Sequence, residues 1–495
     1  MMRRVLRLLF NRMTVIVLLI LIQIALFVLM ILYLSSFWLW NVIFIVVSLL
    51  IVLLLINNDD NPSYTIAWII PIMLFPVVGG AFYLFYRYRN IRKKDRLFFQ
   101  TIDFNRQNTA INYPDLLQSR TGQYLQKAGW PTYQNTITEY LDSGITMFQK
   151  VLDDIEQAQQ FIFLEFFIIK PGQMWNRLFE ALKKKAQSGV EVILIYDDFG
   201  SKDLPARFPQ IIQLSGIKAY KFNRIRLRVN FANNYRNHRK IVVIDNQIGY
   251  VTSNNIGDEY IGLTKPYGEW VDSGIRLVGD AVHSLTVSIL DTLKFITHEL
   301  IDYTHYNLPT STIGSDGYLI PFSDTPIDQE ETTKNIYLSM IFKAKKSIQV
   351  TTPYLIIDPE FRHALRLAAK SGVEVSIVIP GIPDKKIVYM VTKSNLPSLL
   401  KDGVKIYTFT PGFIHSKMLI LDAYKAMIGT ANLDYRSLYL HFENTVYLEK
   451  TTTIQAMSNH FDQIVSMSEQ VSKHKKDPWY VRVLQAIFRL FSSLM

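Results

Sequence analysis

The chain has no cysteine among its 495 residues. That excludes disulfides, thiolate-held metals and cysteine nucleophiles. Charge is thin as well, at 19% of residues, and acid is the scarcer sign: 42 Asp and Glu stand against 53 Lys and Arg, a formal charge of +11. Such a surplus suits anionic partners, nucleic acid or acidic lipid, and does not choose between them. Metal-ligand spacing is missing too. His283, His298, His305, His363, His441, His460 and His474 fall in no ligating pattern and read as structural, so no metal or cofactor is expected.

What the sequence has in excess is apolar runs near its start. Residues 14–34 are apolar apart from Gln23, residues 37–56 are interrupted only by Asn41 and Ser48, and a third run covers about 66–86. Each matches the roughly 20 helical residues that cross a hydrocarbon core of about 30 Å. A cleavable signal peptide is disfavoured, since no small-residue cleavage site separates the first two runs. The reading is a multi-pass cell-membrane protein with two to three transmembrane helices and a basic juxtamembrane run in residues 1–98. Arg3, Arg4, Arg7 and Arg12 precede the first run, and Arg87, Arg89, Arg92, Lys93, Lys94 and Arg96 follow the third. The larger cluster abuts the polar part of the chain and places it in the cytoplasm.

Beyond residue 100 the pattern is α/β, and it is written twice. A buried-strand run at 161–169 leads into a helical stretch at 175–188, Gly189 as its stop, and a second strand at 190–196. AQSGVEV at 186–192 returns as AKSGVEV at 369–375, and GIKAYKF at 216–222 returns as GVKIYTF at 403–409. Strand, helix, strand in this order predicts a crossover in a largely parallel sheet. Two long copies make a duplicated domain, here bounded at 99–310 and 311–472, with residues 311–328 read as the connection.

Each copy carries one constellation. His238, Lys240 and Asp245 are followed by Ser253 and Asn255; His415, Lys417 and Asp422 are followed by Thr430 and Asn432. On a strand, residues two apart share a face, so each copy presents an imidazole beside an ammonium. A lone H-x-K is usually structural, but two matched copies suit a shared phosphodiester: one His attacks phosphorus while the other protonates the leaving alkoxide. Two lysines and two asparagines then stabilise the equatorial oxygens without a metal. A carboxylate behind each ring fixes its tautomer. Glu443 is the candidate behind His415, and Asp272, or Glu269, behind His238. Asp245 and Asp422 are read as catalytic or as structural turn residues.

These residues resemble the phospholipase D superfamily, whose signature is a duplicated H-x-K-x4-D. NHRKIVVID at 237–245, NIGDEY at 255–260, TPY at 352–354, IHSK at 414–417, GTANLD at 429–434, Arg436-Ser437 and FEN at 442–444 are similar to membrane-anchored bacterial cardiolipin synthases. Thr252 departs from that pattern by standing where the superfamily usually has Gly, which Gly429 keeps in the second copy. The resemblance implies two phospholipase D-like α/β sandwich domains in one bilobal unit. It further implies transfer of a phosphatidyl group between two phosphatidylglycerol molecules, giving cardiolipin and glycerol. His238 would be the nucleophile and His415 the general acid and base.

Water or another alcohol as acceptor remains an alternative of the same class. An inactive lipid-binding scaffold is the alternative of another class, and two intact His/Lys pairs argue against it. The apolar runs argue against nucleic acid as a partner and for an anionic membrane surface. Residues 473–495 support this: Lys473, Lys475 and Lys476 precede an amphipathic pattern with Tyr480, Val483, Leu484, Ile487, Phe488 and Phe491 on one face and Arg482, Gln485 and Arg489 opposite. Nothing in the letters sets an oligomeric state.

Overall fold

The computed structural model describes residues 25, 34–58, 61–75, 79–80, 83, 97–98, 101, 119–223, 235–310, 313–328, 330–472 and 477–494. Most of the first apolar run, both basic clusters and the lysines at 473, 475 and 476 lie outside these residues. The chain forms two compact units: residues 1–90 with 228–231 and 490–494, and nearly all the rest.

In the first unit the second apolar run is one helix, α1 (Leu34–Ile56), whose sequence has no acidic or basic residue. Its Leu39, Val42, Leu50, Leu53 and Leu54 are exposed. Asn61 caps the next helix, α2 (Pro62–Leu74), by accepting from Ser63 N at 2.9 Å, with Pro62 in the first turn where its missing N–H costs nothing. Ile51 and Leu55 pack on Trp68, Ile72 and Tyr83. Of the third predicted span, about 66–86, the described part begins in this 13-residue helix, which ends at Leu74, and includes helical residues at 79, 80 and 83; the rest lies outside the described residues. Among the described residues no helix is long and apolar enough to cross a membrane. The described side chains of α1 run unbroken only over 42–56.

The second unit opens with α3 (Arg120–Lys127) and then builds two halves on one plan. The first half comprises β1 (Tyr133–Leu141), α4 (Gly144–Gln157), β2 (Phe161–Phe166), α5 (Gln173–Gln187), β3 (Glu191–Asp197), α6 (Phe208–Gln213), β4 (Lys218–Phe222), β5 (Arg236–Asn237), β6 (Lys240–Ile244), β7 (Ile248–Thr252), β8 (Glu269–Val271), β9 (Gly274–Gly279) and α7 (Val282–Thr297). The second comprises β10 (Ser315–Asp324), α8 (Thr332–Lys343), β11 (Ser347–Thr351), α9 (Pro359–Lys370), β12 (Glu374–Pro380), α10 (Lys386–Lys401), β13 (Lys405–Phe409), β14 (Gly412–Ile414), β15 (Met418–Leu421), β16 (Lys425–Gly429), α11 (Tyr435–Tyr439), β17 (His441–Glu449), α12 (Thr453–Ser466) and β18 (Ser468–Gln470), before a terminal helix α13 (Trp479–Leu490).

Strand order is β1-β9-β7-β6-β2-β3-β4 in the first half and β10-β17-β16-β15-β11-β12-β13-β18 in the second. β2, β3 and β4 are parallel, as are β11, β12 and β13, which confirms the crossover of each repeat. The sheet as a whole is mixed rather than largely parallel, because β6, β7, β9 and β1, like β15, β16, β17 and β10, pair antiparallel. The motif strands β6 and β15 run antiparallel to β2 and β11. The central strands are buried on both faces, and alternate residues enter the same core. Ile162, Leu164, Val192, Leu194, Val242 and Ile244 pack on Leu178 and Leu182 of α5 in one core, and the second half repeats this with Ile348, Val350, Val375 and Ile377 against Leu365.

Residues 313–328 are more than a connection. β10 pairs along its length with β17 and joins β1, so it closes the two halves into one sheet. Its Ser, Gly, Asp and Pro mask an apolar stretch, Leu319, Ile320 and Phe322, that is fully buried. α3 also crosses between the halves: its Leu125, with Trp130, lies in the core of the second half.

Candidate active site

Each motif sits where the chain changes partners. β5 runs parallel to the start of β17, His441 facing Arg236 and Phe442 facing Asn237, and then β6 joins β2. β14 likewise runs parallel to β8, and then β15 joins β11. His238 and His415 therefore lie in the short links before the motif strands, held by other strands: His238 N donates to Phe442 O at 2.9 Å and His415 N to Val271 O at 2.8 Å. These links connect opposite halves, so the two motifs share one site.

The crossing decides the carboxylates. His238 Nδ1 lies 3.0 Å from both carboxylate oxygens of Glu443. His415 Nδ1 lies 2.7 Å from Asp272 Oδ1. Both carboxylates were expected, but their assignments are exchanged, and Glu269 takes no part: it lies on β8 and is exposed. Closeness in sequence suggested the wrong partners because each motif link pairs with a strand of the other half.

Ser253 and Thr430 brace these carboxylates. Ser253 Oγ donates to Asp272 Oδ1 at 2.5 Å, and Thr430 Oγ1 donates to Glu443 Oε2 at 2.5 Å. Trp270 Nε1 adds a bond to Asp272 Oδ2 at 2.6 Å. An ionised carboxylate only accepts, so each imidazole donates from Nδ1 and keeps a lone pair on Nε2.

The lysines are deeply buried, Lys240 at 0% and Lys417 at 1% exposure, and each Nζ donates to the carbonyl of its own histidine at 2.5 Å. Burial pushes Lys417 down to about 8 and moves Lys240 well below its usual range, Glu443 partly restoring it while the charge of Lys417 depresses it further. Burial and the Lys417 charge bring His415 down to about 4, and burial leads the same shift at His238. Burial acts to raise both carboxylates, yet the facing imidazoles leave Glu443 and Asp272 below their usual range. The site holds two carboxylates beside two imidazoles and two lysines whose charged forms burial disfavours.

Asp245 and Asp422 are elsewhere. Asp245 follows the far end of β6, about 16 Å of extended chain from Lys240. Its carboxylate accepts from Gln159 N at 2.6 Å, Gln160 N at 2.8 Å and Phe161 N at 2.7 Å. Asp422 does the same for Lys345, Lys346 and Ser347, the nearest at 2.6 Å. Both sit at positive φ, 52° and 49°, a conformation that Asp tolerates. They tie down the starts of β2 and β11. Of the two readings weighed, the structural one fits this placement.

The asparagines divide. Asn255 Oδ1 accepts from Ile168 N at 3.1 Å and its Nδ2 donates to Tyr260 Oη at 2.8 Å. Asn432 Nδ2 donates to Asp434 at 3.3 Å, while its buried Oδ1 has no hydrogen-bond partner. Sequence reasoning missed the aromatic wall. Phe167 lies 5.1 Å from the His238 ring, and Tyr260, Trp270 and Phe413 lie 5.7, 5.3 and 6.0 Å from the ring of His415. Their only signal was position, beside motif residues and in predicted strands. His441, read as structural, stands 5.4 Å from the His238 ring.

The family model described as cardiolipin synthase, PLD-like domain, matches residues 151–265 and 337–465, and one described as phospholipase D-nuclease N-terminal matches 36–87. The cardiolipin synthase of Halalkalibacterium halodurans is 34% identical over 453 residues, 88% of this chain and 90% of the relative. The chain belongs to the cardiolipin synthase family of phospholipase D-like proteins. The major cardiolipin synthase ClsA of Bacillus subtilis is 33% identical over 486 residues, 93% of this chain and 98% of the relative. Among solved structures, the phosphatidylserine synthase of Haemophilus influenzae superposes with a TM-score of 0.57 at 14% identity, covering 79% of this chain and 97% of that one, which speaks for the fold alone.

The departure at Thr252 has a local explanation. In the second half Gly429 faces Thr445, and a Cβ at Gly429 would meet Asn444 O at 2.3 Å. In the first half Thr252 faces Gly274. The small residue has changed strands, so each facing pair still contains one Gly and one Thr.

Proposed function

We propose that the chain is a cardiolipin synthase that passes a phosphatidyl group from one phosphatidylglycerol to another and releases glycerol. The observation that carries this is the pair of imidazoles anchored at Nδ1 by Glu443 and Asp272, which leaves both Nε2 atoms to the reaction.

His238 Nε2 attacks phosphorus, the bond to the glycerol oxygen breaks, and His415 delivers a proton to that oxygen. Burial and the Lys417 charge keep the His415 ring neutral, and arrival of the phosphodiester anion beside Lys240 and Lys417 offsets that charge, so the ring takes up that proton as substrate binds. A hydroxyl of the second phosphatidylglycerol then yields its proton to His415 and attacks phosphorus, and the P–N bond to His238 breaks. The family resemblance gives His238 the attack; the two histidines are otherwise held alike. Lys240 and Lys417 stabilise the equatorial oxygens, and Asn255 and Asn432 support the walls of the site. No step needs a metal or cofactor.

The membrane enters through two elements. α1 is uncharged over 23 residues, about 34 Å of helix, and we assign it to the bilayer, with the basic residues at 87–96 on the cytoplasmic side. α13 leaves Trp479, Tyr480, Val483, Leu484 and Ile487 exposed while its polar Gln485 is buried and donates to Asp477 at 2.7 Å. An inverted helix of this kind suits an anionic lipid surface, with Phe488 anchored on Ile356, Val391 and Tyr435. Purified enzyme given phosphatidylglycerol labelled in the headgroup should release one glycerol per cardiolipin formed. Phosphatidic acid without cardiolipin would replace this reading with hydrolysis.

A further inference from the structure

His441 takes no part in the two-histidine reaction, yet its position is unusual. Its side chain is only 9% exposed, and neither ring nitrogen has a hydrogen-bond partner. Two buried imidazole nitrogens without a hydrogen bond are costly, and Nδ1 has only a long contact with a carboxylate. Nδ1 of His441 lies 3.7 Å from Glu443 Oε1, the same oxygen that stands 3.0 Å from His238 Nδ1. One donor atom from each of His238, His441 and Glu443 lies within 4.8 Å of the other two. Ligands about 2.0–2.1 Å from a tetrahedral ion are separated by roughly 3.3 Å, and the two measured separations bracket that value. The set is two imidazoles and one carboxylate with a fourth position open, the donor chemistry of Zn²⁺ and its tetrahedral neighbours.

We infer that His238, His441 and Glu443 form an inhibitory site for a Zn²⁺-class cation. The cation site rests on this geometry alone; its inhibitory effect rests on the proposed role of His238. A metal on His238 Nδ1 needs the lone pair of that nitrogen, so the ring's single N–H proton moves from Nδ1 to Nε2. Nε2 then has no lone pair left for phosphorus. Binding the ion thus reverses the tautomer that attack requires. Lys240 beside the site makes it weaker than a structural zinc centre, so occupancy is reversible by a chelator. The spacing of His441 from His238 along the chain gives no hint of this; only the pairing of β5 with β17 brings them together.

The test uses the full chain in detergent, stripped with EDTA and titrated with Co²⁺ as a spectroscopic probe. Wild type should bind one equivalent with the strong visible absorption of a tetrahedral site, and Zn²⁺ should displace it. Zn²⁺ should inhibit transfer and EDTA should restore it. His441→Asn should keep the metal-free rate but lose the absorption and require at least about tenfold more Zn²⁺ for inhibition; His441→Gln serves if the first variant does not fold. Absence of saturable Co²⁺ binding to wild type, or equal Zn²⁺ sensitivity in wild type and the variant, would overturn the site. The metal-free rate separately reports on the transfer reaction, and Co²⁺ binding without inhibition would overturn the inhibitory role while leaving that reaction intact.

Discussion

His415 Nδ1 and Asp272 Oδ1 are 2.7 Å apart although they come from opposite halves of the second unit. The reciprocal contact, His238 with Glu443, makes each half supply the histidine of one pair and the carboxylate of the other. Neither half contains a complete anchored imidazole.

That crossing makes a kinetic prediction. Asp272→Asn should lower kcat by about a hundredfold or more with little change in KM, because the tautomer and orientation of His415 are lost. Added to His415→Ala it should cost almost nothing further, whereas Glu443→Gln added to the same variant should cost more. Steady-state rates of the single and double variants decide this; full additivity for the Asp272 pair would contradict the contact.

Asp245 and Asp422 should behave as structural residues. Asp245→Asn leaves three strand-end N–H groups with a weaker acceptor, so we expect about 1–3 kcal/mol of lost stability and a near-normal kcat in the folded fraction. Thermal unfolding paired with rates at low temperature measures both.

Stability should rise with pH through the His415 window. Its folded value, about 4, lies below an unfolded value of about 6.5. The depressed group contributes stability that is fully present above the unfolded value and is lost as pH falls through that window toward 4. Lys417, brought down to about 8, gives a second rise between that value and its usual range near 10.5. His238 is depressed in the same direction and stays in His415→Asn, so both proteins should gain stability from pH 4 to 7, and the gap in Tm between them should widen over that window by the His415 share.

The face of α13 is tested by charge. Leu484→Asp with Ile487→Asp should weaken binding to vesicles containing anionic lipid and raise KM for substrate presented in vesicles. Turnover on substrate in detergent micelles should change little. Unchanged vesicle flotation would remove α13 from the membrane account.

Much of this was legible in the letters. The repeated strand, helix and strand segments alternate with a clear period, so β2, α5, β3 and their counterparts emerge where expected. Both His/Lys pairs were evident from their spacing. The partners of the histidines were not, because β5 with β17 and β14 with β8 pair across about 150 to 200 residues, and no local pattern encodes such a pairing. The same distance hid His441. β10 was hidden differently: its turn-forming residues surround a buried apolar centre at Leu319, Ile320 and Phe322. Asp245 reads like a site residue only because it shares a strand with Lys240, and the strand carries it to the opposite end.

The most direct test is a base-quenched single turnover with phosphatidylglycerol labelled at phosphorus, followed by peptide mapping at alkaline pH. The account predicts a base-stable, acid-labile phosphoryl label on His238 that appears before cardiolipin and disappears as it forms. Label on His415, or cardiolipin formed with no labelled enzyme at any time, would contradict it.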